Sequence, residues 1–324
     1  MSRPVPATAD LRQHDSVVGS LQRGMPTIGA ASLLGTDDDR LTETVRRACL
    51  ETGFFCIELD APRTAVVEAT VAQMQRFFSL ADDDPVKRAT YRDGRDRGWI
   101  PRYTEPAYQP GTVSSLEAFD VDPEHLPVRE FWPALDGFRD AVTACWDAYL
   151  ALADATLETI ALACELDTDF FTTRCGSREL NTMRLLHYAA DNRRRDERSV
   201  GIAAHTDFEC ITLLYQSAPG LELLDTHDRW LDAPTGKGRI VVMLDDMLER
   251  WTNGHFRATG HRVRETNEQR FSIVMFVAAD PDIDIAPLNQ FVSADSPARY
   301  SPVKQLDHIE AEVDKARANA AAIA

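Results

Sequence analysis

The chain has 324 residues and a formal net charge of −17 at pH 7, from 35 basic and 52 acidic side chains. This length allows one large domain or two modest ones, each with room for a hydrophobic core. The acidic balance argues against nucleic acid or an anionic membrane as a partner, and no apolar run approaches the roughly 20 residues of a membrane-spanning helix.

The amino terminus and the cysteines indicate the cellular compartment of the protein. Residues 1–23 are polar and predict a loose tail, and the opening MSRPVPATADLRQHD has no apolar signal core. The six cysteines form no C-x-x-C pair, which argues against a structural zinc site, and their apolar neighbours predict buried thiols in a reducing compartment. We therefore expect a cytoplasmic protein that does not contact a membrane.

Apolar side chains at helical spacing predict four helices. Gly53 ends the first one before the strand-like run FFCIEL. Residues 91–127 are rich in Gly, Pro and charge and are predicted to be loop. In the last helix, Leu306, Ile309 and Val313 are expected to face inward. The predicted helices cover residues 38–50, 66–78, 131–166 and 303–322.

The most informative motif is His205-Thr206-Asp207, within the run VGIAAHTDFECITLLYQ at residues 200–216. The flanking residues have the composition of a strand. Side chains alternate faces along a strand, so His205 and Asp207 are expected to point the same way while Thr206 points elsewhere. The motif thus places one nitrogen and one oxygen donor side by side.

A third donor comes later in the chain. His261 is far enough beyond Asp207 to allow about three strand-and-turn units between them. That interval holds LELLD, the turn residues PTGKG and the apolar run RIVVML. Short strands separated by turns favour a sandwich or a jelly-roll barrel over a parallel sheet. The predicted fold is mixed α and β, with a double-stranded β-helix (jelly-roll) core flanked by helices.

Two imidazoles and one carboxylate are the ligand set that holds a non-haem ferrous ion and leaves adjacent coordination positions open. Arg270 and Ser272 follow shortly after His261 and share one face of a predicted strand. A guanidinium and a hydroxyl are suited to a carboxylate of a second ligand. Taken singly, an H-x-D, a lone His or an Arg would more often be structural, and it is their combination that indicates a site.

Five stretches within residues 182–303 form a recognisable set: TMRLLHY, HTDFECITLLYQ, DMLERWTNGHFRATGHRV, RFSIVMF and PLNQFVSADSPARYSPV. On these stretches the sequence resembles the isopenicillin N synthase-like branch of the 2-oxoglutarate and iron(II)-dependent dioxygenases. The resemblance extends more weakly to MPTIGAASL, ETGFFCI and FFSLADDDPVKR near the amino terminus.

The resemblance implies roles and cofactors. It implies Fe(II) bound by His205, Asp207 and His261, 2-oxoglutarate as co-substrate, and dioxygen as oxidant. It also implies that 2-oxoglutarate is decarboxylated to succinate while a C–H bond of a small molecule is oxidised, most simply by hydroxylation. The residues that match the 2-oxoglutarate contacts are Arg270, Ser272 and Tyr188.

The sequence departs from the family pattern at positions that are not metal ligands. Leu186 stands where Asn is common, and Met243 and Asp245 replace the usual Asn and Gly. These changes are expected to reshape the pocket wall. Some members of the family keep Arg-x-Ser without consuming 2-oxoglutarate, so an iron oxidase and a non-catalytic binding protein of the same fold remain alternatives.

Three other histidines are not expected to belong to the same site. His187 is a possible fourth donor, but its position beside Tyr188 on a strand places it on the opposite face. His255 in a turn-like segment is expected to be exposed, and His227 is expected at a hairpin tip. No G-x-S-x-G, P-loop or G-x-G-x-x-G motif is present, which argues against a serine hydrolase, an NTPase or a dinucleotide-binding protein.

In similar enzymes, the N-terminal loop region and the C-terminal segment close over the iron. The resemblance therefore makes Trp99, Arg102, Tyr103 and Phe291 candidate substrate contacts, with surface packing as the alternative. Small secondary metabolites, amino acids and their conjugates all remain possible substrates. The predicted organisation is a tail at 1–23, an N-terminal dioxygenase region at 24–130, core-lining helices at 131–176, the jelly-roll domain at 177–290 and a C-terminal segment at 291–324.

Overall fold

The computed structural model describes residues 25–35, 39–91, 97–105, 108–190, 199–265 and 267–321. The predicted tail at residues 1–23 lies outside them. The helices are α1 (Ala30–Leu33), α2 (Asp39–Glu51), α3 (Ala61–Phe78), α4 (Pro85–Arg88), α5 (Phe138–Ala163), α6 (Asp246–Trp251) and α7 (Gln305–Ala321).

The strands are β1 (Thr27–Gly29), β2 (Phe54–Glu58), β3 (Gly98–Ile100), β4 (Val113–Ser114), β5 (Glu117–Val121), β6 (Thr182–Tyr188), β7 (Ser199–Val200), β8 (Ile202–His205), β9 (Ile211–Gln216), β10 (Leu221–Leu224), β11 (Trp230–Asp232), β12 (Arg239–Leu244), β13 (His261–Val263), β14 (Arg270–Val277), β15 (Asp284–Ile285) and β16 (Val303–Lys304).

Two sheets form the core of the fold. The large sheet has eight strands in the order β1-β2-β12-β9-β14-β6-β5-β3, and the small sheet has four in the order β11-β10-β13-β8. Most neighbouring strands run antiparallel, and long connections carry the chain from one sheet to the other. This is the predicted jelly-roll, with helices packed on the outer face of the large sheet.

Strand alternation on the large sheet separates two hydrophobic layers. On β14, Phe271, Ile273 and Met275 face the helices and join the core formed with α5, while Val274 faces the second core, between the sheets. Arg270 and Ser272 lie at alternate positions with Val274 and therefore point into the space between the sheets. The predicted shared face of Arg270 and Ser272 is confirmed.

The long helix α5 begins later than predicted. The sequence predicts a helix from residue 131, but α5 starts at Phe138 after Gly137, whose φ of 79° lies in the left-handed region. Pro133 and Gly137 interrupt the apolar pattern before the helix. Helices α2 and α7 begin within a few residues of the predicted positions. Helix α3 begins about one turn earlier than predicted, at Ala61, because Asp60 caps it by accepting a hydrogen bond from Arg63 N.

Two predictions about local structure are wrong. The stretch predicted as loop at 91–127 contributes β3, β4 and β5, and every residue of β5 is buried. The charged residues that suggested a loop, Glu117 and Asp120, are buried because they form ion pairs with Lys87 and Arg184. In α7, Leu306 is exposed, while Gln305 and His308 face inward.

The large sheet contains strands from both the predicted N-terminal region and the predicted jelly-roll domain. It combines β1, β2, β3 and β5, which precede residue 130, with strands that follow residue 177. The N-terminal region therefore completes the barrel wall on which the later residues are placed.

Candidate functional site

The two histidines of the motif lie opposite one another on neighbouring strands. β8 ends at His205, β13 begins at His261, and these two residues are direct partners in the antiparallel register. His261 shares a face with Val263, which belongs to the core between the sheets. Asp207 was predicted on the same strand as His205, but it lies in the turn after β8. The turn still directs its carboxylate to both imidazoles.

The three side chains converge. Asp207 Oδ1 lies 3.5 Å from His205 Nε2 and 3.6 Å from His261 Nε2. One ligand atom from each residue lies within 4.8 Å of the others, and no further group of three His, Cys, Asp or Glu meets this criterion in the described part of the chain. Two nitrogens and one oxygen at these separations fit a single transition-metal ion.

Backbone carbonyls orient both imidazoles. His205 Nδ1 lies 2.8 Å from Ala203 O, and His261 Nδ1 lies 3.1 Å from Thr259 O. Because a carbonyl only accepts, each Nδ1 carries the proton and each Nε2 keeps its lone pair for a metal. Burial lowers the pKa of His261 to about 4, with His205 adding to this effect and Asp207 opposing it. His261 is therefore neutral at physiological pH, as a ligand must be.

Thr212 and Asp245 support the carboxylate ligand. Thr212 Oγ1 donates to Asp207 Oδ2 at 2.7 Å and lies 3.0 Å from Asp245 Oδ2. Burial and the charges of Asp207 and Glu209 raise the pKa of Asp245 well above its ordinary value. Burial opposes ionisation of Asp207, but His261 and His205 outweigh it and bring its pKa to about 2.

A second polar group lies on the large sheet. Arg270 is 1% exposed, and its Nε and Nη2 donate to Gln216 Oε1 at 3.2 and 3.1 Å. Its guanidinium lies 4.6 Å from the centre of the Tyr188 ring. Burial lowers the pKa of Arg270, and no carboxylate pairs with it among the residues that the structure describes.

Three buried polar atoms around Arg270 have no hydrogen-bond partner in the described structure: Arg270 Nη1, Ser272 Oγ and Tyr188 Oη. Register places Tyr188 opposite Arg270 on β6 and Gln216 opposite Ser272 on β9. Buried polar groups are rarely left unsatisfied, and a buried cation without a counterion is costly. The arrangement therefore fits a bound carboxylate, and the residues present fit both the metal and the co-substrate that the resemblance implies.

A cavity of about 600 Å³ opens beside the three converging side chains, with Asp207 in its wall. Tyr108 also lines it, and its ring stacks on His205 with centroids 3.9 Å apart and 11° between the planes. Burial raises the pKa of Tyr108, and Glu105 contributes to the shift. The other lining residues are Arg97, Ile100, Thr104, Glu105, Asp120, Leu180, Thr182, Arg184, Phe208, Glu209, Phe276, Ile309, Glu310, Val313, Asp314, Ala316 and Arg317.

The candidate substrate contacts are not brought to this cavity. Trp99 is buried in the helix-side core, where its Nε1 donates to Glu117 at 2.9 Å. Phe291 lines a separate groove beside His255. Arg102 donates to Ser115 O at 3.1 Å and to Tyr103 Oη at 3.2 Å, and neither residue lines the cavity.

Three further histidines lie where the sequence places them. His187 faces the helices rather than the metal ligands, with Nδ1 2.8 Å from Glu117 Oε1 and its ring stacked on Phe271. His255 is exposed, and His227 is in the turn between β10 and β11. These three predictions are confirmed.

Sequence reasoning missed the residues that hold the site residues in place. Thr212 and Gln216 lie on β9 and contact Asp207 and Arg270. Their period-two alternation with Leu214 on a recognised strand was an available signal. Tyr108 lies in the run RGWIPRYTEPAYQPG with the candidate contacts Trp99 and Tyr103, and no sequence pattern distinguishes it from them.

Comparison with known proteins identifies the family. Residues 180–279 match the model of the 2OG-Fe(II) oxygenase superfamily, and residues 25–135 match that of the non-haem dioxygenase N-terminal region, described from morphine synthesis. The chain is 30% identical over 310 residues to the 2-oxoglutarate-Fe(II) type oxidoreductase hxnY of Emericella nidulans, covering 88% of each protein. It is also 30% identical over 239 residues to the validamycin A dioxygenase of Streptomyces hygroscopicus subsp. limoneus, covering 65% of this chain and 64% of that protein.

Solved structures share the fold. A protein from Caulobacter crescentus assigned to the 2OG-Fe(II) oxygenase family is 26% identical, with a TM-score of 0.76 over 90% of this chain and 99% of that one. A full-length protein of Neurospora crassa, solved in complex with alpha-KG, has a TM-score of 0.77 at 23% identity, over 90% of this chain and 95% of that one.

The geometry defines a jelly-roll protein with a histidine-carboxylate centre, and the similarity to the Emericella protein shows that the chain belongs to the 2OG-Fe(II) oxygenase superfamily. It is an enzyme of the non-haem dioxygenase class, with iron(II) and 2-oxoglutarate as cofactor and co-substrate. Among the helices that the structure describes, none is both long and apolar enough to cross a bilayer.

Proposed function

We propose that this enzyme couples the decarboxylation of 2-oxoglutarate to the hydroxylation of a C–H bond in a small molecule. His205, Asp207 and His261 hold the iron, and Arg270, Ser272 and Tyr188 hold the co-substrate. The observation that carries the proposal is the pairing of two incomplete sites: three metal donors converge, and three buried polar atoms, on Arg270, Ser272 and Tyr188, lack hydrogen-bond partners among the described residues.

The protein supplies a rigid set of donors. The carbonyls of Ala203 and Thr259 fix the imidazoles, and Thr212 fixes Asp207, so little ordering remains to be done when the metal binds. With iron(II) bound, the centre supplies activation of dioxygen, so that 2-oxoglutarate yields succinate and CO2 while the substrate is oxidised.

Arg270 selects the co-substrate. Its guanidinium is held by Gln216 and lies over Tyr188, which leaves Nη1 to donate to a carboxylate. Ser272 Oγ is a second donor on the same face. A charge-assisted contact in a buried position is stronger than one in water, and the fork geometry of Arg favours a carboxylate.

The cavity orients the substrate. Its volume of about 600 Å³ is that of a small-molecule site rather than of a polymer-binding groove. Phe208, Phe276, Ile309 and Val313 line part of the wall and exclude water from the side of the metal centre. This confinement directs one C–H bond toward the position where oxidation occurs.

We also propose a cytoplasmic location. All six cysteines are free and buried, and the sulfurs of Cys175 and Cys210 lie 3.9 Å apart, beyond disulfide bonding distance. Free thiols in this proximity fit a reducing compartment.

The proposal is tested by anaerobic addition of Fe(II) and then 2-oxoglutarate to the purified protein. We expect a weak visible charge-transfer band, and in air we expect succinate release that a substrate from a metabolite library stimulates. Asp207→Ala should lose the band because one of the three donors is gone. Asp282→Ala, at a carboxylate that is 95% exposed, is the matched control and should keep it.

The alternatives give different results. Iron binding without the band on addition of 2-oxoglutarate would favour an iron oxidase that takes its electrons from the substrate. Absence of iron binding in the wild-type protein would favour a non-catalytic protein of the same fold.

A further inference from the structure

The charge of the cavity wall bears on the substrate. The residues that line the cavity include three arginines, Arg97, Arg184 and Arg317, and six carboxylates. The six carboxylates are Glu105, Asp120, Asp207, Glu209, Glu310 and Asp314. The volume of the cavity and the metal donor Asp207 in its wall identify it as the substrate site. The charges of the wall then indicate which class of ligand it binds.

Each arginine of the wall already has a carboxylate partner. Arg184 contacts Asp120 through Nε at 3.0 Å and through Nη2 at 2.6 Å, and its Nη1 lies 2.5 Å from Glu105. These pairs are buried and well formed, so Arg184 is not offered to a ligand as a free cation.

The other two arginines are paired as well. Arg97 lies 2.5 Å from Asp122, and Arg317 lies 3.7 Å from Asp314 on α7. Among the described residues that line the cavity, no arginine is without a carboxylate partner that would leave it free for an anionic substrate.

Two carboxylates are left over once these pairs and the metal ligand are assigned. Glu209 is half-buried, and it accepts a hydrogen bond from Phe208 N at 2.9 Å. Glu310 is exposed on α7. In the described structure neither forms an ion pair with Lys, Arg or His. The charges of the metal centre do not neutralise them, because the dication and the 2-oxoglutarate dianion cancel, as do Asp207 and Arg270.

Two aromatic rings line the same cavity. Tyr108 and Phe208 both line the cavity, with ring centroids 6.3 Å apart and 55° between their planes. An ammonium group is attracted both to a carboxylate and to the face of an aromatic ring, and the attraction is larger where water is excluded. An anionic or strongly hydrophobic ligand would leave Glu209 desolvated without compensation.

We propose that the substrate carries an ammonium group, which Glu209 binds inside the cavity while Glu310 attracts it at the rim. This rests on the proposed function, since it takes the cavity to be the substrate site. Glu209 and Glu310 are thereby specificity-determining residues, and small organic amines are the substrate class.

The test uses the enzyme loaded with Mn(II) and 2-oxoglutarate, which binds substrate without turnover. Calorimetric titration compares ligands that share a hydrocarbon frame and differ in charge: phenethylamine, phenethyl alcohol and hydrocinnamate, and the corresponding cyclohexyl series. We expect the amines to bind about tenfold more tightly than their neutral and acidic counterparts, which corresponds to one charge-assisted contact.

Variants locate the effect. Glu209→Gln should remove most of the amine preference, and Glu310→Gln should reduce it by about two- to threefold, as expected for a partly screened charge. Glu312→Gln is the control, because Glu312 is on the same helix but pairs with Lys315 and does not line the cavity. Retained binding of Mn(II) shows that each variant is folded at the site.

The inference is overturned if no amine binds more tightly than its alcohol and acid counterparts, or if the preference survives in the double variant of Glu209 and Glu310. These results are distinct from failure of the proposed function. That failure appears as a missing charge-transfer band with Fe(II) and 2-oxoglutarate in the wild-type enzyme, whatever the charge preference of the cavity.

Discussion

Arg270 shows how one residue can lower the stability of a protein while serving its function. It is buried, its neighbours Gln216 and Tyr188 are neutral, and burial lowers its pKa. A desolvated charge without a counterion costs free energy that only the bound co-substrate recovers. The hydroxyls of Ser272 and Tyr188 are also buried, and neither has a hydrogen-bond partner in the part of the chain that the structure describes.

Arg270→Met should therefore separate stability from binding. We expect the ligand-free variant to unfold with a free energy equal to that of the wild type or up to about 2 kcal/mol higher. Its affinity for 2-oxoglutarate should fall by about 2–5 kcal/mol. Denaturant unfolding and calorimetric titration measure the two quantities.

Ser272→Ala serves as the comparison, because it removes one hydroxyl and leaves the charge. It should weaken 2-oxoglutarate binding by about 1 kcal/mol. A large loss of stability in Arg270→Met would show instead that the guanidinium already has a strong counterion in the ligand-free protein.

At the scale of elements, the metal donors depend on how closely β8 approaches β13. Gly201 lies just before β8, and a Cβ added there would be 2.5 Å from Val263 O. This is closer than van der Waals contact allows, so a side chain at position 201 would push the two strands apart. His205 and His261 are register partners in that pair.

Gly201→Ala is accordingly expected to weaken metal binding more than it weakens the fold. Separating the two imidazoles by a fraction of an ångström should reduce the affinity for Mn(II) by about tenfold or more, in the range of changes to groups that orient metal ligands. Gly29→Ala is the control, since a Cβ there has ordinary contact distances. Equal Mn(II) affinities in the two variants would contradict the prediction.

A buried ionic network joins α4 to the large sheet. Glu117 on β5 accepts from Lys87 Nζ at 2.7 Å, from Trp99 Nε1 at 2.9 Å and from His187 Nδ1 at 2.8 Å. Burial would raise the pKa of Glu117, but the hydrogen bond from His187 and the charge of Lys87 outweigh it and hold the pKa below 4.5. The folded state therefore favours the ionised form.

This network predicts a pH-dependent contribution to stability. A lowered folded-state pKa stabilises the protein above the unfolded-state value of 4.5, and this contribution is lost as the pH falls through the folded-state pKa. Glu117→Gln should cost about 3–5 kcal/mol at pH 7, because Lys87 is left buried without its partner. The difference from the wild type should shrink below pH 4.5.

Urea unfolding of both proteins across this pH range measures the effect. The double variant Lys87→Met with Glu117→Gln is the control and should regain much of the lost stability, since no buried charge remains. A cost that stays constant with pH would mean that the pKa of Glu117 is unshifted.

At the scale of the whole molecule, the protein and its co-substrate carry net charges of the same sign. The chain carries a net charge of −17, and the co-substrate is a dianion. Long-range repulsion slows the approach of 2-oxoglutarate, while Arg270 attracts it only at short range because it is buried. Salt screens long-range interactions first.

The association rate of 2-oxoglutarate should therefore rise with ionic strength. Between about 0.01 M and 0.15 M salt, the Debye length shortens from about 30 Å to about 8 Å, and stopped-flow measurements with the Fe(II) enzyme should show a severalfold increase. The dissociation rate should change little. A rate that falls with salt would show that local positive charge dominates the approach.

Amino-acid order alone determined the fold class and the identity of the chemical groups. The H-x-D motif, His261 and the R-x-S motif could be read directly, because strand alternation and the spacing of turns are local properties. The same alternation correctly placed Arg270 and Ser272 on one face and His187 on the other. Helices were found from their periodicity, with errors where Gly137 and Pro133 break the pattern.

Only the tertiary structure decided which residues surround these groups. The stacking of Tyr108 on His205, the support of Asp207 by Thr212 and the burial of Trp99 in the core depend on contacts between distant segments. Such contacts are set by how sheets and helices pack, and no local pattern encodes them. The buried β5 was mistaken for a loop for the same reason, because its carboxylates are satisfied by Lys87 and Arg184 from other elements.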